Sequence, residues 1–173
     1  MASEIPKEPI ATDSQAVDPG RDIWALAIGR FLVAFTGCEY WMFLYVKTFG
    51  SEALHDALAN QNLGPRSAVA KALVGDIGLK SEIQNRVDAA FKELAELAKQ
   101  RNLVAHNPPM FHIYSDSQGQ FHMKRELRSI KDLGKQISVA GLAELTARAD
   151  KLDEEFLVLY GLVQQPESRA GGA

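Results

Sequence analysis

Two side chains suited to phosphate chemistry close the run Arg101-Asn102-Leu103-Val104-Ala105-His106. A guanidinium grips phosphate oxygens through two parallel hydrogen bonds. An imidazole, with a reference pKa of about 6.5, moves protons near neutral pH. Cleavage of an RNA phosphodiester needs both functions: the 2′-hydroxyl loses a proton, the leaving oxygen gains one, and charge on the phosphate is stabilised. On a regular helix this five-residue step rises about 7.5 Å and turns about 140°, so the pair does not stack on one face. A terminal turn that loosens can still direct both toward one pocket. Each residue also has a plain structural reading. A helix-end arginine satisfies free carbonyls or pairs with a carboxylate, and a C-terminal histidine is favoured by the helix dipole.

The element that must carry them is the most periodic in the chain. From Ser81, the expected cap, to about His106, apolar residues at Ile83, Val87, Ala90, Phe91, Leu94, Leu97, Ala98 and Val104 recur in steps of three and four. Asn107-Pro108-Pro109 stops the helix, because a residue before proline disfavours helical geometry. Upstream, a helix over about 22–47 is apolar round most of its circumference and contains Glu39. A buried carboxylate needs a partner, and Arg101 is the first candidate. The stretch Ile23 to Val46 is long enough to cross a bilayer, but Arg30 and Glu39 would each cost roughly 2.5–3.5 kcal/mol near its centre. A central bundle helix is the better reading.

Between these lie two shorter helices. One runs from about Ser51, an N-cap, to Asn60, with Ala53, Leu54, Ala57 and Leu58 as its inner face. The other follows the Leu63-Gly64-Pro65 break and reaches about Asp76, with Pro65 in its first turn. After the long helix, residues at about 110–124 alternate with period two. Phe111, Ile113, Phe121 and Met123 share one parity; His112, Tyr114, His122 and Lys124 share another. Pairing 112 with 122 and 113 with 121 makes a hairpin with a loop at about 116–118 and Gly119 at a bulge. A last helix from Ser138 to about Val163 buries Leu142, Leu145, Ala149, Leu152, Phe156, Leu159 and Tyr160. The expected fold is all-α: an up-and-down bundle of four to five helices over 22–164 with a small inserted β-hairpin. Residues 1–21 and 165–173 have the composition of disordered tails.

The chain has 173 residues, 46% hydrophobic and 24% charged, with a net charge of -3. That suits one domain with a real core. It argues against a general polyanion binder, though not against a local basic patch. The run Lys124, Arg125, Arg128, Lys131 and Lys135 is such a patch, but Glu126 and Asp132 interrupt it. A solvated face is the default, and an RNA backbone track the sharper reading. Cys38 is the one cysteine, so no disulfide forms within the chain. The first twenty residues lack the basic and apolar regions of a signal peptide, and a cytoplasmic protein with no membrane contact is expected. Tyr40, Trp41, Phe43 and Tyr45 suit a core or dimer interface better than a base-stacking platform. His112 and His122 are placed to face one another across the hairpin, but too few further ligands are evident for a metal. Neither metal nor cofactor is expected.

The segment ELAELAKQRNLVAHNP resembles the signature helix of the HEPN superfamily: an arginine, four to six residues, then a histidine, often with Asn or Asp after the arginine. Helix 22–47, with Glu39, and the last helix are similar to the outer helices of such domains, so the resemblance covers about residues 22–163. It implies a dimerising helical bundle. It also implies metal-independent endoribonuclease activity of the kind found in toxin, phage-defence and RNA-processing systems, at a site shared by two subunits. Arg101 would contact the scissile phosphate, His106 would transfer a proton, and Asn102 would orient one of them or bind RNA. At the position two after the histidine, where toxins paired with a nucleotidyltransferase antitoxin carry a modifiable tyrosine, this chain has Pro108, so that mode of regulation is not expected.

Three readings result. The first is a homodimeric ribonuclease leaving a 2′,3′-cyclic phosphate and a 5′-hydroxyl, with an antitoxin or regulatory partner. The second is a non-catalytic helical homodimer binding a protein or nucleotide in the same groove. The third is a membrane-associated protein built on Ile23 to Val46.

Overall fold

The computed structural model describes residues 19–132 and 134–170, the side chains at 19, 112, 114 and 121–124 excepted. The N-terminal tail assigned to 1–21 lies outside the described residues up to position 18. From Pro19 the chain is already helical.

The longest apolar run makes the first helix, α1 (Pro19–Phe49). Phe31, Phe35, Cys38, Met42 and Tyr45 recur in steps of four and three and are fully buried. α5 (Val139–Val163) answers with Leu142, Leu145, Ala149, Leu152, Phe156, Leu159 and Val163, all buried. These two stripes make the most extensive interface in the fold. Polar atoms within it are paired. Trp41 Nε1 donates to Asp153 Oδ1 at 2.7 Å, and Cys38 Sγ donates to the Ala149 carbonyl at 3.3 Å. Tyr45, Phe91 and Phe156 meet edge-on or tilted, with centroids 5.5–6.2 Å apart. Each such buried aromatic contributes roughly 1.5–3 kcal/mol by removal from water. Gly20–Phe49 is also long and apolar enough to cross a membrane. Here one stripe of it is the bundle's central packing face, while Ile23, Leu26, Val33 and Tyr40 point outward, 55–74% exposed.

α2 (Glu52–Ala59) starts at Ser51, whose Oγ accepts from the Leu54 N–H as expected of an N-cap. Its inner face is narrower than the periodicity predicts. Leu54 and Leu58 pack on the core, but Ala53 and Ala57 are exposed, because a two-turn helix on the rim offers only one row to the bundle. α3 (Leu63–Gly75) keeps Pro65 in its first turn.

α4 (Ser81–His106) has the predicted stripe, with Val87, Ala90, Phe91, Leu94, Leu97 and Val104 buried. Its start corrects the expectation: Lys80 is the N-cap and no side chain caps the helix. The chain's last described segment does the anchoring instead. A single 3-10 turn (Pro166–Ser168) packs there, the Lys80 N–H donates to the Ser168 carbonyl at 2.8 Å, and Ala170 N–H donates to the Gly78 carbonyl at 2.7 Å. Residues 165–170 are therefore docked structure rather than the disordered tail that their composition suggests, and Ser168 is buried.

The hairpin is longer and differently registered than predicted. β1 (Pro109–Ser115) pairs antiparallel with β2 (Phe121–Arg128), placing His112 opposite Lys124, Ile113 opposite Met123 and Tyr114 opposite His122. The two-residue shift preserves each face. Its cause is Asp116, whose Oδ1 accepts from the N–H groups of Gln118 and Gln120 at 2.9 Å and closes a five-residue turn. Gly119 takes φ +76 there, a conformation that L side chains rarely adopt. A two-residue strand, β3 (Gln136–Ile137), adds to β2 and completes a three-stranded sheet. Buried Leu127 and Ile137 fasten that sheet to the bundle. Ser138 Oγ then caps α5 as predicted, accepting from the Gly141 N–H. The fold is an all-α bundle of five helices carrying a small antiparallel sheet.

Candidate functional site

The C-terminal half of α4 forms one wall of a groove of about 1000 Å³. α1 contributes Phe35 and Glu39 to it, and the α2–α3 corner closes the other side from Gln61 to Lys71. Arg101, Asn102, His106 and Glu39 all line this one groove. Arg101 and His106 diverge by about 140° round α4 with Ala98 and Asn102 between them, and the groove is wide enough to take in that whole arc.

Arg101 is half-buried, and its Nη1 donates to Asn102 Oδ1 at 3.2 Å. Asn102 thus touches the arginine, and the other guanidinium nitrogens make no hydrogen bond among the described residues. His106 is the last residue of α4 and is exposed. Its ring makes no hydrogen bond among the described residues. The turn beneath it is held by Asn107, whose Nδ2 donates to the Leu103 carbonyl at 2.8 Å and whose Oδ1 accepts from the Ile130 N–H at 3.0 Å.

The expected Glu39–Arg101 pair is not formed: among the described residues Glu39 makes no ion pair within 4 Å. Its charge bears instead on Arg66, a residue the sequence reading missed. Arg66 is 6% exposed and lines the groove. Its guanidinium lies 3.5 Å over the Phe43 ring, one turn along α1 from Glu39. Nε donates to the Leu58 carbonyl at 3.4 Å, and Nη2 to the carbonyls of Ala59 and Gln61. Arg66 therefore bonds three carbonyls at and just beyond the end of α2. Burial lowers its pKa below the usual arginine value and the Glu39 charge opposes that shift. The guanidinium remains a cation throughout the physiological range. The only hint in the sequence was a helix end at Asn60 followed by a tight break, which leaves carbonyls that need a nearby donor.

Lys71 and Lys92 also line the groove. Lys71 Nζ is 2.8 Å from Asp88 Oδ1, and that contact, with a weaker one from Gln84, holds the Asp88 carboxyl below its usual range. The charged lining, before His106 is considered, is four cations (Arg66, Lys71, Lys92, Arg101) and one carboxylate (Glu39). A chain of net charge -3 thus carries a locally positive groove. Such focusing attracts anions.

The basic run on the sheet is not part of this site. Arg125 and Arg128 do not line the groove. Arg128 is committed to buried Glu126 and to Gln136 Oε1 at 3.1 Å, and Arg125 lies 3.9 Å over the Phe111 ring. The Lys124 side chain lies outside the described residues. A second cavity of about 410 Å³ between α4 and α5 is bridged by Arg86–Glu155 and Arg148–Glu93 pairs at 2.8–2.9 Å, so both of its carboxylates are taken up by arginines. Among the described residues no three His, Cys, Asp or Glu side chains gather in a group able to hold a metal ion. The side chains of His112 and His122 lie outside that description, and their backbone positions are not directly opposed.

Comparison with protein-family models, with curated proteins and with solved structures returns no match.

Proposed function

We propose that this groove binds and cleaves RNA without a metal ion. The observation that carries the reading is the meeting of Arg101, Asn102 and His106 in one positively lined groove. Arg101 takes the scissile phosphate through its free donors, and Asn102 holds that guanidinium in place. His106 exchanges a proton with the reacting oxygens. The 2′-oxygen forms a bond to phosphorus, the bond from phosphorus to the 5′-oxygen breaks, and the proton removed from the 2′-hydroxyl is balanced by one delivered to the 5′-oxygen. The products are a 2′,3′-cyclic phosphate and a 5′-hydroxyl.

One imidazole per groove leaves the second proton carrier unassigned. The HEPN resemblance supplies one from a second copy of the chain, and the exposed stripe on α1 offers an apolar face for such a contact. In this reading the protein is a cytoplasmic homodimer that acts in toxicity or phage defence. The test is incubation of a mixed RNA pool in EDTA with wild type, Arg101→Ala and His106→Ala, each shown to be folded. Cutting by wild type alone supports the proposal. No cutting by a folded dimer removes it.

A second reading is favoured by one observation: no neighbouring group among the described residues orients the His106 ring. A catalytic base is usually held by such a group. A non-catalytic anion-binding groove, taking a nucleotide or an acidic protein segment, needs none. It predicts ligand binding that survives His106→Ala.

A further inference from the structure

Arg66 differs from every other cation of the groove in being both buried and fixed. Three carbonyls and the Phe43 ring hold its Nε, Nη2 and plane. Its Nη1 makes no hydrogen bond among the described residues. Nor is that atom sealed away, since the one enclosed side-chain nitrogen or oxygen without a partner among them is Arg128 Nε. With Arg66 lining the groove, Nη1 is the donor left to face it. An immobilised guanidinium with a free donor loses little conformational freedom on taking an anion.

Lys71 stands on the same helix. Its ammonium has three donors, and among the described residues Asp88 is its one ion-pair partner. Both residues belong to α3, whereas Arg101 belongs to α4 on the opposite wall. α3 and α4 pack together, and packed helices have axes about 8–10 Å apart, so a polyanion strand lying along the groove above their seam meets cations from both walls. The single carboxylate in the lining, Glu39, already bears on Arg66; Lys71 shares its charge with Asp88 outside the lining, and Lys92 and Arg101 make no ion pair within 4 Å among the described residues.

We propose that Arg66, through Nη1, and Lys71 form a second phosphate subsite on the α3 wall, which holds a phosphate next to the scissile one in single-stranded RNA. This rests on the RNA-cleaving reading for its substrate, but its test does not depend on cleavage. The shared chemistry, a phosphate dianion or diester, also belongs to inorganic phosphate, and the experiment separates the two.

The full chain is titrated with a fluorescent RNA strand whose 2′-hydroxyls are methylated so that it cannot be cut. Anisotropy gives Kd at several salt concentrations for wild type, Arg66→Lys and Lys71→Ala, with inorganic phosphate and a matched duplex as competitors. The expected result is a Kd about threefold to tenfold weaker in each variant. The slope of log Kd against log salt should fall by about 0.7 for each lost contact. The duplex and millimolar phosphate should compete poorly. Should Arg66→Lys lose helix content, Lys71→Ala and the shift of the wild-type Arg66 side-chain resonances on strand addition carry the test. Wild-type affinity and slope in folded variants, or displacement of the strand by phosphate at comparable concentration, overturns the subsite. A strand bound through Arg66 and Lys71 but never cut when unmodified leaves the subsite standing and removes the cleavage reading. RNA that is cut equally well by both variants does the reverse.

Discussion

Asn107 and Ile130 are 23 residues apart, yet the Asn107 carboxamide oxygen accepts the Ile130 backbone N–H at 3.0 Å while the same carboxamide donates to the Leu103 carbonyl at 2.8 Å. One side chain therefore closes the end of α4 and pins it to the loop after β2. The residue before it is His106, so the placement of the imidazole depends on this junction. Asn107→Ala removes both bonds and leaves the Leu103 carbonyl to water. A destabilisation of about 1–2 kcal/mol is expected. Hydrogen exchange at the Ile130 amide should rise well above that of the α1–α5 core. If RNA cleavage is established, kcat should fall while strand affinity, set by Arg101 and the α3 wall, changes little. An Ile130 amide as protected as in wild type sinks the idea.

Helix α1 approaches α5 at a glycine. A Cβ added at Gly37 would lie 2.8 Å from Asp153 Oδ1, the atom that accepts from Trp41 Nε1 at 2.7 Å. Gly37→Ala must push the carboxylate aside and so break that bond. Better helix propensity offsets roughly 1 kcal/mol of the loss, which makes the net change a poor readout. A double-mutant cycle with Trp41→Phe isolates it. Trp41→Phe should cost at least about 1 kcal/mol less in the Gly37→Ala background than in wild type. Additive effects would mean that the carboxylate moves without releasing the indole.

What the sequence revealed and what it hid follow the range of the forces involved. The stripes of α4 and α5 were legible because burial acts on every third or fourth residue over many turns. Ser51 and Ser138 were legible as caps because the bond is local. The strand parity was right and the register wrong by two, because face selection depends on alternation whereas register depends on the Asp116 turn. β3 has two residues, too few for any period to show. Residues 165–170 dock through backbone atoms of Gly78 and Lys80, which no side-chain pattern encodes. At the site, Arg101, Asn102 and His106 could be grouped because one helix carries them. Glu39 pairs with no cation within 4 Å among the described residues, and the one its charge bears on, Arg66, is held near α1 by bonds to carbonyls that are invisible until α2 and α3 are folded against each other.

Two buried groups make the fold sensitive to alkali. Burial, reinforced by the Asp153 charge, pushes the Cys38 thiol up to about 12 from 9.0, and burial also raises the Tyr45 hydroxyl above its usual 10.0. From about pH 9 the unfolded chain releases the thiol proton that the folded chain retains. The folded state then binds more protons than the unfolded one, so stability falls as pH rises, by up to about 1.4 kcal/mol per unit. Below pH 9 both states are protonated and no slope arises from this group. Urea midpoints at pH 8, 9.5 and 10.5 should decline in wild type and decline less in Cys38→Ala, with Tyr45 adding to the loss above pH 10. An identical decline between pH 8 and 9.5 in Cys38→Ala would assign the effect elsewhere.

The dimer reading makes its own demand on α1. Leu26, Val33 and Tyr40 are seven residues apart, so they form one row with a drift of only about 20° per step. They are 55%, 74% and 59% exposed. Gly29, between the first two, has nothing within 4 Å of its Cβ position, which leaves that side of the helix open to a neighbour. At about 100° per residue the row lies roughly 120° round the helix from Glu39 and opposite buried Phe35, so a second copy seated on it reaches the groove only round the Glu39 edge of α1. Val33→Asp places a charge at the most exposed point of the row without touching the buried stripe. The far-UV spectrum should be unchanged, light scattering should report a monomer where wild type is a dimer, and RNA cleavage should be lost although Arg101, Asn102 and His106 are intact. If the Val33→Asp monomer cuts RNA as fast as wild type, one chain supplies both proton carriers, and a group in the groove other than His106 must be the second. If wild type is itself monomeric at micromolar concentration, the shared site fails and the anion-binding reading of the groove becomes the stronger one.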